Sequence, residues 1–309
     1  MEPARDDRVC AKSCVVTLAI TLGALLVLIA LAVGLPLLIV VFALAFVPAA
    51  VIFTWARRAR DRPNGADVRI PDPLTLKVSF WRGFLFVIIP LVPELLLMYL
   101  LVPAVFGDLE HAPLGAYLAG QVVNAGITPG VVEELYKWWL TSLAITMHNG
   151  RSPQPPPLLA SDIIVLAVFS ALGFLTFEDL EYAVGSATTG GLVVAGLTIV
   201  LRILSFPLHL SFAAMSGKAI ADRVQAGRHA WIVTPRGIWR QVGLHALYDY
   251  VLTVSIAPQV TDAWPYAPVL LVVPIAIVVW CAVYLWQTLH AITRVAIPPP
   301  DDVVVQVPR

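Results

Sequence analysis

Apolar residues run through this chain in long blocks, many of them near or above the ~18 residues needed to cross hydrocarbon. Set against turn and charge signals, the blocks predict about eight spans, at 15–33, 36–55, 84–106, 115–147, 162–183, 191–219, 239–257 and 267–290. The fold class this implies is all-α, a polytopic transmembrane helical bundle. The fourth and sixth blocks are longer than one crossing needs. Pro129-Gly130 and Pro207 are expected to break or kink them, because proline removes a helix donor and clashes with the preceding turn. Each of these blocks could instead be two elements, one of them re-entrant.

Composition agrees with the pattern. Of 309 residues, 59% are apolar and 13% charged, with a mean hydropathy of +0.84, whereas a soluble domain of this length carries roughly a quarter charged residues. The partner this implies is the lipid bilayer, and no nucleic acid. Net charge is zero, so what matters is where the charges sit.

Basic residues sort the loops. Arg57, Arg58, Arg60, Arg62, Arg69, Lys77 and Arg82 fall between the second and third spans, and Arg151 after the fourth. Arg223, Arg228, Arg236 and Arg240 follow the sixth, and Arg294 lies in the tail. The alternate loops GDLEHAPL, GSATTGG and APQVTDAWPY contain no Lys or Arg. That asymmetry predicts a multi-pass cell-membrane protein with both termini cytoplasmic.

The expected layout is a cytoplasmic N-terminal tail (1–14), a transmembrane hairpin (15–55), a basic cytoplasmic linker (56–83), a membrane core (84–291) and a cytoplasmic tail (292–309). Val15–Val33 is long for a cleaved signal peptide, and no small-x-small site separates it from the next block, so a retained hairpin is expected. RSPQPPP at 151–157 and the proline-rich tail read as extended connectors. Cys10, Cys14 and Cys281 match neither a disulfide framework nor a zinc-knuckle spacing. They read as small buried or interfacial residues, with acylation of Cys10 and Cys14 as the alternative.

Four polar constellations remain inside the spans. In TPGVVEELYKWWL, Lys137 falls about 40° from Glu133 and about 60° from Glu134 around a helix, so it can partner either acid. The second acid must then take a proton or find another cation. GFLTFEDLEYA places Glu178 on one face with Glu181 and Tyr182, three and four residues on. Glu178 is the deeper acid, while Asp179 and Glu181 either belong with it or reach the outer interface. In LRILSFPLHLSF, Arg202 and His209 are two turns apart with Ser205 between them. In GLHALYDY, His245 and Asp249 are one turn apart, a spacing that holds a metal or a water or lets the acid orient the imidazole.

Singly, each constellation has a plain structural reading, as a packing hydrogen bond or an ion-pair strut. Together they place acids, two histidines and an arginine on four spans, and intramembrane ionisable groups are functional-site candidates. The set has the composition of a hydrolytic centre. A proton- or ion-coupled transporter would keep similar acids, but no internal repeat is visible and the histidines come with carboxylate partners.

The ordered motifs EELYK, GFLTFEDLEY, Arg202 leading to His209, and HALYD resemble the PrsW family of bacterial intramembrane proteases. A more distant likeness is to the type II CAAX prenyl proteases, from which the chain departs at three points. Glu178 stands where that pattern has histidine, Asp249 where it has asparagine, and Lys137 comes one residue early for its arginine.

The resemblance implies a peptidase acting on a membrane-anchored regulatory protein, such as an anti-sigma factor. Glu133 is then the candidate base for the attacking water and Glu134 the partner of Lys137, although the angles allow the two roles to be exchanged. His209 and His245 would stabilise the oxyanion or, with Asp249, ligate a zinc ion. Glu178 would be a further ligand or second acid, Arg202 the counter-charge to a carboxylate, and Tyr182 a supporting residue. The PrsW likeness implies a metalloprotease and the prenyl-protease likeness a metal-free glutamate mechanism, and the sequence leaves both open.

Overall fold

The computed structural model describes residues 39, 41, 43–60, 70–149 and 158–293, with 192 and 193 by backbone only. The N-terminal tail, the 15–33 span, Cys10, Cys14, residues 61–69 of the linker, the 151–157 connector and the tail beyond 293 lie outside the described residues. Every regular element among the described residues is helical, with no strand, and four helices are long and apolar enough to cross a membrane.

Helix α1 spans Val47–Arg60 and α2 Pro73–Leu85. Asp72 fixes the start of α2: its carboxylate accepts the Thr75 backbone N–H at 3.0 Å and also the Thr75 hydroxyl. Pro73 takes the first turn, where its missing N–H costs nothing. Helix α3 (Ile88–Leu96), a π-helical turn (Leu97–Leu101) and α4 (Val102–Phe106) continue α2. The result is one candidate span, Pro73–Phe106. It begins well before the apolar block at 84, because Lys77 and Arg82 interrupt the hydropathy without interrupting the helix.

Helix α5 (Leu114–Gln121) runs into a π-helical stretch, Val122–Glu133, and then into α6, Glu134–Asn149. The expected break at Pro129 is thus a widening of the helix. Proline has no N–H to give the usual carbonyl, and the looser winding re-pairs its neighbours. The Thr128 hydroxyl donates to the Val123 carbonyl, five residues back, at 2.7 Å.

The core of the molecule is a hairpin of α7 (Ala160–Gly191) and α8 (Val194–Gln225). Gly191 has φ +72°, and it reverses the chain where a side chain would be strained. Across the hairpin, the Thr198 hydroxyl donates to that of Ser186 at 2.9 Å, and Arg202 Nε donates to Asp179 at 2.7 Å. Phe169, Leu172 and Leu175 of α7 and Leu208, Leu210 and Phe212 of α8 are buried. Pro207 sits inside α8 without ending it.

The chain then forms α9 (Pro235–Ile256), α10 (Pro258–Ala263), a 3-10 turn (Ala267–Leu271) and α11 (Val272–Ile292). Tyr99 and Leu100 before α4, and Val272 and Trp286 on α11, point away from the protein. In water such faces would aggregate; in a bilayer they meet lipid. The segments predicted as the fourth and seventh crossings, α5–α6 and α9, are not among the four apolar spans, and they carry two of the four polar motifs, EELYK and HALYD.

Small residues bring the site together. At the crossing of α2 and α7, a Cβ on Gly83 would lie 1.8 Å from the Ser170 carbonyl oxygen, and one on Gly173 would lie 1.8 Å from that of Phe80. Gly130 does the same for the π-helical stretch, where a Cβ would come within 2.8 Å of the Val242 carbonyl oxygen on α9. Such contacts are how helices approach closely in lipid, where apolar burial gives little driving force. Trp138 Nε1 and Ser142 Oγ both donate to the Ala230 carbonyl, at 2.9 and 3.0 Å, tying α6 to the loop that leads into α9. Cys281 is buried, its carbonyl accepting the Ser211 hydroxyl at 2.6 Å.

Candidate active site

Because Gly130 seats the π-helical stretch on α9 beside Ala246, the next turn delivers Glu133 and Glu134 to His245. The ring nitrogens of His245 face different carboxylates: Nδ1 lies 2.9 Å from Glu134 Oε1, and Nε2 lies 3.0 Å from Asp249 Oδ2. Its Nε2 is also 3.9 Å from Glu133 Oε2. His209, on α8, meets His245 edge-to-face with ring centroids 4.8 Å apart.

Lys137 stands at the hub. Its Nζ donates to Glu134 Oε1 at 2.7 Å, to Glu133 Oε2 at 3.2 Å and to His209 Nδ1 at 3.2 Å. An ammonium has three hydrogens and no lone pair, so it is saturated, and Nδ1 of His209 must accept. The His209 proton is therefore on Nε2. Phe174 of α7 closes one side, its ring centroid 5.3 Å from the ammonium.

The two glutamates differ in what surrounds them. Glu134 is fully enclosed and serves Lys137 and His245 at once, which fixes the direction of the imidazole. Glu133 is 5% exposed, and its Oε2 faces both histidines. The lysine pairs with both acids, more closely with Glu134, although angles alone put it nearer Glu133.

Six of the residues singled out in the sequence thus meet: Glu133, Glu134, Lys137, His209, His245 and Asp249. Glu178 stands with a neighbouring group. Arg202 holds Glu178 Oε1 and Asp179 Oδ1, each at 2.7 Å, while its guanidinium stacks on Tyr182 at 3.9 Å from the ring centroid. Asp179 is buried in this group, whereas Glu181 is exposed.

Glu94 on α3 was not singled out. The residue is half-buried, and its Oε1 is buried with no hydrogen-bond partner among the described residues. The signal was there to find: one acid inside LVPELLLMYL, at a depth where charge is costly.

Glu133, His209 and His245, all buried and on three separate elements, offer donor atoms within 4.8 Å of one another. A carboxylate with two imidazoles is a donor set suited to zinc. Asp249, expected either to join the ligands or to orient His245, lies 3.0 Å from His245 Nε2.

A helical bundle that encloses a carboxylate, two imidazoles and further acids among apolar helices has the composition of a membrane-embedded hydrolytic centre. The family model described as PrsW family intramembrane metalloprotease matches residues 71–281, and the chain belongs to that family. No curated protein and no solved structure matches it. Membership favours the peptidase reading over ion-coupled transport.

Proposed function

We propose that this intramembrane peptidase hydrolyses a peptide bond of a membrane-anchored regulatory protein, such as an anti-sigma factor, with Glu133 as the base. The observation that carries the reading is the unequal use of the two glutamates. Glu134 is committed to Lys137 and His245, while Glu133 sits beside both histidines with less to hold it.

In this reading, Glu133 takes a proton from the water that attacks the scissile carbonyl carbon. The carbonyl π electrons move to oxygen, and an N–H of His209 or His245 donates to the resulting oxyanion. Glu133 then returns its proton to the departing amine as the C–N bond breaks. His245, fixed by Glu134 and Asp249, keeps the opposite wall of the site in place. Where a metal is present, His209, His245 and Glu133 would hold it, and it would polarise water and the carbonyl. Both termini lie on the cytoplasmic side of the cell membrane, in line with the positions of the basic loops.

The test is cleavage of a co-expressed, single-pass membrane reporter by Glu133→Gln and His245→Ala. Each should lose cleavage by about 10²–10⁴-fold at normal protein levels. Retained cleavage in both would defeat the assignment.

A further inference from the structure

We infer that Lys137 competes with a divalent metal for the centre, bonding two of its three candidate ligand residues until it withdraws onto Glu134. The inference rests on the metal part of the reading above.

The candidate donors come from Glu133, His209 and His245. Lys137 Nζ already bonds Glu133 Oε2 and His209 Nδ1, both at 3.2 Å, and this Nδ1 lies 3.9 Å from the same Glu133 oxygen. The Nδ1 lone pair serves one partner at a time, an N–H or a metal. Two cations sharing Glu133 Oε2 at contact distance in a buried site would also repel strongly. Ammonium and metal therefore exclude one another at these atoms.

The ammonium has somewhere to go. Its shortest contact, 2.7 Å, is to Glu134, which is outside the donor group and fully enclosed. Glu134 also holds His245 through Nδ1, so one carboxylate keeps the lysine and orients the imidazole whether or not the other two contacts persist. The chain therefore carries its own stand-in for the metal charge. It folds without metal, and it binds metal more weakly than the bare donor set would.

The experiment uses the full-length chain in detergent, as wild type, Lys137→Met, Lys137→Gln and Lys137→Arg. Zinc affinity is measured by competition with a chromophoric chelator, and cobalt is added separately to read ligation from its visible absorption. Lys137→Met and Lys137→Gln should bind zinc about tenfold more tightly or better, because the competing occupant is gone. Lys137→Arg keeps a cation and should gain nothing. In thermal unfolding, zinc should raise the midpoint of Lys137→Met more than that of wild type, since Glu133 has lost its counter-charge.

Equal or weaker zinc binding in the two neutral variants overturns the inference. Neutral variants that aggregate with and without zinc alike also overturn it, because the metal should replace the missing charge. Absence of binding in every form overturns it together with the metal reading. Glu133-dependent cleavage by the same preparations then shows whether the peptidase reading stands on its own.

Discussion

Glu134 and His245 are 111 residues apart in the chain, yet Oε1 of one lies 2.9 Å from Nδ1 of the other. This bond assigns different work to two adjacent glutamates. Glu134→Gln weakens the hold on both Lys137 and His245 in a fully buried place, and breaking one side of such a pair costs about 3–5 kcal/mol. Glu133→Gln leaves Lys137 its closer partner. The expected outcome is that Glu134→Gln lowers the unfolding midpoint in detergent substantially, while Glu133→Gln abolishes cleavage with the midpoint nearly unchanged. Equal losses of stability would contradict this division of roles.

Arg202 balances Glu178 and Asp179 together, so Arg202→Met leaves two carboxylates facing each other inside the bundle. A loss of about 3–5 kcal/mol is expected. Adding Asp179→Asn should recover part of it, since coupled groups are not additive. Tyr182→Phe keeps the ring against the guanidinium and should stay near wild type, whereas Tyr182→Ala should cost about 1–2 kcal/mol. A chemical unfolding series reads all four.

Gly173 opens the GFLTFEDLEYA motif for a steric reason. A methyl group there would need the space of the Phe80 carbonyl oxygen, 1.8 Å away, and α2 would have to move. Gly173→Ala and Gly83→Ala are each expected to destabilise by about 1–3 kcal/mol or more. Gly185, with open space around it, is the control. Unfolding midpoints separate the two cases.

Replacing Glu94 with leucine should stabilise the protein by about 1 kcal/mol, because a carboxyl oxygen that is buried without a hydrogen-bond partner is removed. The unfolding midpoint in detergent is the check, and a lower one would mean that Glu94 has a partner the geometry does not reveal.

In the loop before α5, Asp108 and His111 form an exposed pair at 2.6 Å. Their mutual hydrogen bond holds His111 above its ordinary pKa and Asp108 below its own. The pair's contribution is lost as pH rises through the raised histidine value, and again as pH falls through the lowered carboxylate value. In Asp108→Asn, the His111 titration followed by NMR should move back toward acid. Cleavage should be unaffected.

How much of this was legible depended on distance along the chain. Lys137 with its two acids, and His245 with Asp249, follow from i,i+3 and i,i+4 spacing alone. The pairing of Arg202 with Asp179 does not, since its register is set by where Gly191 reverses the chain. Nor does the pairing of Glu134 with His245, which needs the approach of two helices at Gly130. Glu94 was passed over because it has no polar neighbour in sequence, and its neighbours come only with packing. The long spans were readable from hydropathy, except where Lys77 and Arg82 masked the first turns of α2.

The π-helical stretch at Val122–Glu133 gives the centre an unusual dependence on chain length. Deleting one residue there, Asn124 for instance, with the winding otherwise kept, takes one step out of the helix. Everything downstream would then rotate by about 100°, carrying Glu133 and Glu134 off the face they share with His245 while removing no catalytic group. The aim of the two acids is thus encoded in a residue count, and a frame-preserving deletion far from the chemistry would silence it as surely as a substitution within it.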